Sequence, residues 1–407
     1  MDKEKLYKKW FKDCDRYNSD STKNFVDENG KHIDIAWVQS GRGRGKSFDI
    51  SSKALADAWY SNGNKTFGYI RRYDKELTIV NIEQYFEDKK DFIKDMTNGE
   101  CNKVVCKNKK IYLAKEFLDD NEKIKTELIL LVGYAFALNL ANQYKSLQYP
   151  TIVTMIFEEV LSRSAYIQNE PMELLSLIST CRRDKEVFTC FCITNTVSRV
   201  NPYSESFGFD LRNIKEGQQT FTRLYSGEYD EKKKIDEYYL ISVEYLKAKD
   251  KMKKSDKKAN NVIQSITTNN YDIAQLYKTL NFDIFKKLAT DKKFPYAIFN
   301  WNGMRFKCVV MEVNCDLLEY LENDKSMGSD TMPVLYIFPI GRNNIEKGIR
   351  TYSNQLKLDR YTTRTIDNTF MIDKVIRELY NRDWVLYSDN GTANDFNQVF
   401  INFIWHY

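Results

Sequence analysis

Residues 37–49, WVQSGRGRGKSFD, run from an apolar, strand-like start through three glycines interleaved with arginines into Gly45-Lys46-Ser47. The stretch follows the pattern G-x-x-x-x-G-K-[ST] except at its first position, where Ser40 stands. A glycine loop between a strand and a helix lets backbone N–H groups converge on phosphate oxygens, and the helix N-terminus adds positive potential. Ser40, Gly41, Arg42, Gly43, Arg44, Gly45, Lys46 and Ser47 therefore form a candidate phosphate cradle. In it, Lys46 reaches the β and γ phosphates and Ser47 offers its hydroxyl to Mg²⁺. The first position needs only a compact residue in a tight turn, which serine satisfies. The plainer alternative is a surface loop that binds any anion.

A second element strengthens the cradle reading. TIVTMIFEE, residues 151–159, is an apolar strand that ends in Glu158-Glu159. A nucleotide-hydrolysing site needs one carboxylate near the metal and one to orient or deprotonate water. Glu158 fits the first role and Glu159 the second, although aspartate is the usual metal-side residue. A third element is the strand VFTCFCITNT, residues 187–196, whose Thr194 and Asn195 are placed to sense a γ phosphate from a neighbouring strand. Arg182 and Arg183 precede it at a helix end on the sheet's rim, where an arginine can reach a neighbouring subunit's phosphate. Each is equally well read as an ordinary surface arginine. No N-K-x-D guanine-reading motif occurs, so ATP is expected rather than GTP.

The chain around these motifs alternates. Residues 1–25 read as a lysine-rich amphipathic helix, and IDIAWVQS (33–40) as a strand. The helix KSFDISSKALADAWYSN (46–62) ends at Gly63. KTFGYIRRY (65–73) is a strand and NIEQYFEDKKDFIKDM (81–96) a helix. KVVCKNKKIYLA (103–114) reads as a hairpin and TELILLVGYAFAL (126–138) as a further strand. The acidic strand, the helix EPMELLSLISTCRRD (170–184) and the strand EVFTCFCITNT (186–196) complete an α/β unit with a mainly parallel sheet. DEYYLISVEYL (236–246) is expected to add a strand at its edge.

Composition then changes. KAKDKMKKSDKK, residues 247–258, holds seven lysines and almost nothing apolar, which marks a boundary. The expected organisation is an ATPase domain over 1–247, a helical linker over 248–290 and a second α/β domain over 291–407. That last part opens with PYAIFNWNGMRFKCVVMEV (295–313), in which Asn302-Gly303 signals a type I′ hairpin. A strand TMPVLYIFPI (331–340) and a helix NTFMIDKVIRELYNRD (368–383) follow.

Bulk properties set outer limits. At 407 residues the chain suggests two or three domains. A net charge of +5 permits a nucleic-acid partner without demanding one. No apolar run is long enough for a membrane-spanning helix, and the first residues lack the apolar core of a signal peptide. Eight irregularly spaced cysteines and two histidines argue against a zinc site or a disulfide framework. The cysteines are expected to be reduced and buried, as in a cytoplasmic protein.

Five blocks in order, WVQSGRGRGKS, FGYIRRYDKEL, VGYAFALNLANQYKS, TIVTMIFEEV and ITNTVSRVNPYS, resemble the encapsidation ATPases of small short-tailed phages with protein-primed genomes, relatives of the large terminases. The resemblance covers about residues 30–205 and implies a P-loop ATPase of the ASCE type using ATP and Mg²⁺. It further implies a homo-oligomeric ring, a pentamer, that drives double-stranded DNA into a prohead. The ring would work at the portal vertex in the host cytoplasm, with an RNA or protein adaptor as a further partner, and be absent from the mature virion. On this resemblance Lys46 and Ser47 match the cradle lysine and serine, and Glu158 and Glu159 the acidic pair. Lys145 matches a basic residue that acts across the subunit boundary, and Arg182 or Arg183 is the arginine finger. The family also implies an RNase H-like C-terminal domain that has lost nuclease activity. Asn300 and Asn302 stand where metal-binding acids would be needed, so no cutting is expected. Arg342, Arg350, Lys357, Arg360 and Arg364 form a basic stretch able to follow a phosphate backbone. The rival readings are a helicase, a nuclease-active terminase, or a nucleic-acid or capsid binding module with an inactive cradle.

Overall fold

The computed structural model describes residues 2–11, 25–41, 45–161, 166–183, 185–195, 201–209, 211, 214–215, 217–230, 235–246, 293–301, 304–314, 331–340, 350–353, 363–365, 374–382 and 384–405. Two compact units are present, Met1–Asp256 and Lys257–Tyr407.

The first unit is built on nine strands: β1 (Ile35–Ser40), β2 (Thr66–Arg71), β3 (Lys103–Lys107), β4 (Lys110–Leu118), β5 (Ile124–Ala137), β6 (Ile152–Glu158), β7 (Thr189–Asn195), β8 (Gln219–Asp230) and β9 (Ile235–Tyr245). Their order across the sheet is β3-β4-β5-β2-β6-β7-β1-β9-β8. From β5 to β9 every neighbouring pair is parallel, and antiparallel pairs flank this block on both sides. The cradle strand β1 is separated from the acidic strand β6 by β7. That interposed strand is the arrangement an ASCE-type ATPase requires.

The central strands are apolar on both faces because both are covered. Along β1, Ala36 and Val38 face one buried cluster with Ile50, Ala54, Phe67 and Ile193, while Ile35 and Trp37 face another with Phe157, Leu174, Leu177 and Tyr203. Helix α2 (Lys46–Tyr60) covers the first side and α6 (Glu170–Arg182) the second. A buried ion pair between Lys53 and Asp49, 2.6 Å, lies one turn into α2.

Several expectations need correction. The N-terminal helix α1 is Lys3–Trp10 and stops at Phe11, where φ is −119°. Residues 12–24 of the expected 1–25 helix lie outside the described residues. The segment 81–96 is not one helix. It forms α3 (Ile79–Tyr85), capped by the Thr78 hydroxyl, a 3-10 turn at Glu87–Lys89, and α4 (Lys90–Met96). Across the break, Ile82, Phe86, Phe92, Ile93 and Met96 all pack into the same buried cluster. The strand DEYYLISVEYL lies inside the sheet, against β1, and β8 is the true edge. The hairpin at 103–114 forms as expected, with Asn108 and Lys109 both at positive φ in the connecting turn.

The second unit carries β10 (Lys293–Trp301), β11 (Met304–Asn314), β12 (Thr331–Pro339), β13 (Arg350–Ser353), β14 (Thr363–Thr365) and β15 (Val385–Tyr387), with helices α8 (Lys374–Asn381) and α9 (Asn390–Trp405). The order is β14-β13-β10-β11-β12-β15. β10, β11 and β12 are antiparallel, and β13 and β14 continue from β10 in parallel. This is the topology of an RNase H-like sheet, extended by β15 beside β12. Trp301 pairs with Met304, as a two-residue hairpin demands, while Asn302 and Gly303 lie outside the described residues. So do the whole of the expected linker, 248–290, and, from the basic stretch, Arg342, Lys357 and Arg360. Among the described residues no helix is long and apolar enough to cross a membrane. The six described cysteines are free and buried.

A candidate nucleotide site at the carboxyl edge of the sheet

The parallel strands β1, β2, β6 and β7 all end on one edge, and the residues that follow them meet there. At the end of β1, Ser40 is fully buried and donates its hydroxyl to the Gly41 carbonyl, 2.8 Å. Arg42, Gly43 and Arg44 lie outside the described residues. Gly45 caps α2 with φ of 80°, a left-handed conformation that suits glycine, and its carbonyl accepts the first helical bond from Asp49. The chain thus turns directly from the loop into a helix whose N-terminus faces the site.

Lys46 is buried, and its Nζ donates to Asn195 Oδ1 at 2.7 Å. The contact exists because Asn195 ends β7 directly beside Ser40 in register. Thr194, its neighbour, points elsewhere: its hydroxyl donates to the Asn195 carbonyl and the side chain is buried. Of the two expected sensor residues, only Asn195 is at the lysine.

Ser47 Oγ donates to Glu158 Oε2 at 3.1 Å, and Tyr85 of α3 donates to Glu158 Oε1 at 2.6 Å. Burial pushes the Glu158 carboxyl above its ordinary value, against the hydrogen bonds from Tyr85 and Ser47 and the charge of Lys46. The same burial, together with the Glu158 charge, drives the Tyr85 phenol well upward and keeps it a donor. A hydroxyl and a carboxylate oxygen held this close suit a hard cation, since neighbouring ligands in a Mg²⁺ octahedron lie about 2.9 Å apart. Ser47 and Glu158 therefore fit a magnesium ion.

Glu159 follows β6 with φ of 55°. Its side chain is 62% exposed, and Oε2 accepts from Arg71 Nη2 at 2.9 Å. Arg71 ends β2, the next strand, and also holds Glu76 at 3.1 Å. Beside it, Arg72 is buried against Glu170, with Nε and Nη2 each 2.8 Å from a carboxylate oxygen.

The remaining expected residues lie elsewhere. Helix α6 runs from Glu170 at this edge back to the amino edge, so it carries Arg182 and Arg183 away from the cradle. There Arg182 pairs with buried Asp34 at 3.0 Å, and Arg183 donates to the Leu147 carbonyl at 2.8 Å. Lys145 is exposed just after the short helix α5 (Ala141–Tyr144) on the connection between β5 and β6, two residues before Leu147. None of the three serves its own chain's cradle. Conversely, Arg71, Arg72, Tyr85, Glu170 and Tyr203 belong to the site's surroundings without having been singled out. Two arginines closing an apolar strand were the only visible signal among them.

The profile described as "Podovirus DNA encapsidation protein (Gp16)" matches residues 28–217. The DNA packaging protein of Bacillus phage B103 is 26% identical over 347 residues, covering 83% of this chain and 90% of that protein. That of Bacillus phage phi29 is 31% identical over 172 residues, 42% of this chain and 45% of that protein. Among solved structures, the N-terminal domain of the DNA packaging ATPase from bacteriophage phi29 aligns with a TM-score of 0.38 at 26% identity, covering 54% of this chain and 93% of that one. The matched span takes in the cradle, the acidic strand and the sensor strand, and across it this chain is similar to the podovirus DNA encapsidation proteins.

Proposed function

We infer that this chain is the ATPase subunit of a viral genome packaging motor, coupling ATP hydrolysis to the movement of double-stranded DNA into a prohead. The observation that carries it is the convergence of Lys46, Ser47, Glu158, Glu159 and Asn195 on one sheet edge, within the span shared with the encapsidation family.

In this reading Lys46 leaves Asn195 to hold the β and γ phosphates of ATP, and Asn195 is freed to contact the γ phosphate. Ser47 and Glu158 hold Mg²⁺, which supplies positive charge against the phosphate oxygens when bound. Water attacks the γ phosphorus as the bond to the bridging β,γ oxygen breaks, giving ADP and phosphate. The water's proton passes to Glu159, whose carboxylate is exposed at this edge. An arginine from a neighbouring subunit completes the charge balance in a ring. Arg183 is the better candidate, because Arg182 is engaged with buried Asp34. Lys145 is a second basic group able to act across that boundary.

We assign residues 1–247 to the ATPase, 248–290 to a linker and 291–407 to a nuclease-like domain without cutting activity. The partition of the chain at Asp256–Lys257 falls within that linker. The portal of the prohead and an RNA or protein adaptor are the remaining proposed partners.

The deciding experiment measures ATP turnover alone, with DNA, with proheads, and with both. A packaging subunit is stimulated most by proheads and DNA together. Stimulation by DNA alone would indicate a helicase, and no turnover in any condition would indicate a binding module.

A further inference from the structure

Arg72 stands one residue beyond β2 and is 7% exposed. Its guanidinium uses both edges at once. Nε and Nη2 grip the two oxygens of Glu170, each at 2.8 Å. Nη2 also donates to the Val160 carbonyl at 2.7 Å, and Nη1 to the Glu159 carbonyl at 3.3 Å. Glu170 is fixed in turn by the Tyr203 hydroxyl at 2.5 Å and the Ile167 amide at 2.9 Å. The rings of Phe157 and Tyr166 lie against the guanidinium. One buried cation thereby ties the end of β2, the turn after β6, the start of α6 and helix α7 (Pro202–Phe207).

A buried ion pair is weak evidence for stability, since desolvation offsets most of its attraction. What this pair does unusually is hold two consecutive carbonyls of the turn in which Glu159 adopts φ of 55°, a conformation disfavoured for a side chain. Without that grip, the turn has reason to relax toward negative φ and swing the Glu159 carboxylate away.

We propose that Arg72 is a positioning residue for ATP hydrolysis: locked to Glu170, it holds the Glu159–Val160 carbonyls and so aims the Glu159 carboxylate at the attacking water. The inference rests on the reading of Glu159 as proton acceptor. Tyr203 supports the arrangement from the segment that follows the sensor strand, so the acid and the Asn195 strand share one brace.

The test is a double-mutant cycle in the full chain, measured as steady-state hydrolysis over a range of ATP concentrations, with long incubations for the slow variants. Arg72→Lys keeps the charge opposite Glu170 but cannot fork across two carbonyls and a carboxylate. It is expected to lower kcat by on the order of tenfold to a hundredfold, with KM for ATP changed less than about twofold. In a Glu159→Gln background the same change is expected to have no further effect, because the group being aimed is gone. Tyr203→Phe, which keeps the ring contacts, is expected to repeat the pattern with a smaller loss and serves if Arg72→Lys does not fold. Equal losses in both backgrounds, or a raised KM at unchanged kcat, would overturn this inference alone. Full turnover in Glu159→Gln by itself would overturn the reading of Glu159 and this inference with it.

Discussion

Ser47 and Glu158 are 111 positions apart in the chain, yet the serine hydroxyl lies 3.1 Å from the carboxylate. The first residue turn of α2 and the last residue of β6 meet because both elements open onto the same edge of the parallel sheet. Tyr85 closes the other side of the carboxylate.

Lys46→Ala is expected to abolish ATP turnover, since no other cation in the described site stands at its place beside Asn195. Glu159→Gln should keep nucleotide binding and lose most hydrolysis, because an amide orients water but accepts no proton. Steady-state turnover and binding of a fluorescent ATP analogue check both. Persisting hydrolysis in Lys46→Ala would remove the nucleotide-site assignment.

Glu158 gives a prediction for pH. Burial raises its pKa in the folded protein above the ordinary 4.5, so the folded state binds more protons than the unfolded one across that window. Its contribution is fully present below the ordinary value and is lost as pH rises through the raised one. Nucleotide-free protein should therefore lose stability from this group as pH rises above about 4.5, and Glu158→Gln should remove that slope. Mg²⁺ needs the ionised carboxylate, so stabilisation by Mg²⁺ and nucleotide should grow with pH in the unmodified chain. Melting temperatures of both proteins across pH, with and without Mg²⁺ and nucleotide, measure this. Identical slopes in the two would show that Glu158 is not the group responsible.

Arg182 and Arg183 should separate by readout. Arg182→Ala leaves buried Asp34 with Lys31, 3.6 Å away, as its remaining ion-pair partner among the described residues, and should cost about 1–3 kcal/mol of stability. Arg183→Ala removes an exposed contact to a carbonyl and should cost under about 0.5 kcal/mol. If Arg183 is the trans finger, its loss removes assembly-dependent turnover by up to about a thousandfold while single-subunit ATP affinity stays. Mixing Arg183→Ala with Lys46→Ala subunits should restore hydrolysis at junctions that pair an intact cradle with an intact arginine. Absence of any rescue, with both variants still in the ring, would argue against completion across the boundary.

Gly133 sets how closely β5 approaches β2. A Cβ there would meet the Phe67 ring and the Phe67 carbonyl oxygen at 2.9 Å. Gly133→Ala should destabilise the first unit by about 1–3 kcal/mol, the usual range for overpacking. Chemical denaturation with an unchanged slope would confirm a packing cost, and an unaltered midpoint would show that the strands separate freely.

Local chemistry was legible without a structure. A strand, a glycine-arginine loop and Gly45-Lys46-Ser47 are contiguous, and an apolar run ending in two glutamates needs no partner to be noticed. The alternation of strands and helices was enough for a mainly parallel sheet, because period and turn chemistry act over a few residues. What the sequence by itself could not determine was which strand ends lie side by side. The insertion of β7 between β1 and β6 brings Asn195 to Lys46, and β2 beside β6 brings Arg71 to Glu159. Tyr85, Glu170 and Tyr203 reach the acids only through the packing of helices on that sheet, so no spacing in the chain announces them. The direction of α6 likewise decides that Arg182 and Arg183 face the opposite edge from the cradle. Motifs are written in neighbouring residues, whereas the geometry around each carboxylate is set by side chains that only long-range packing makes neighbours.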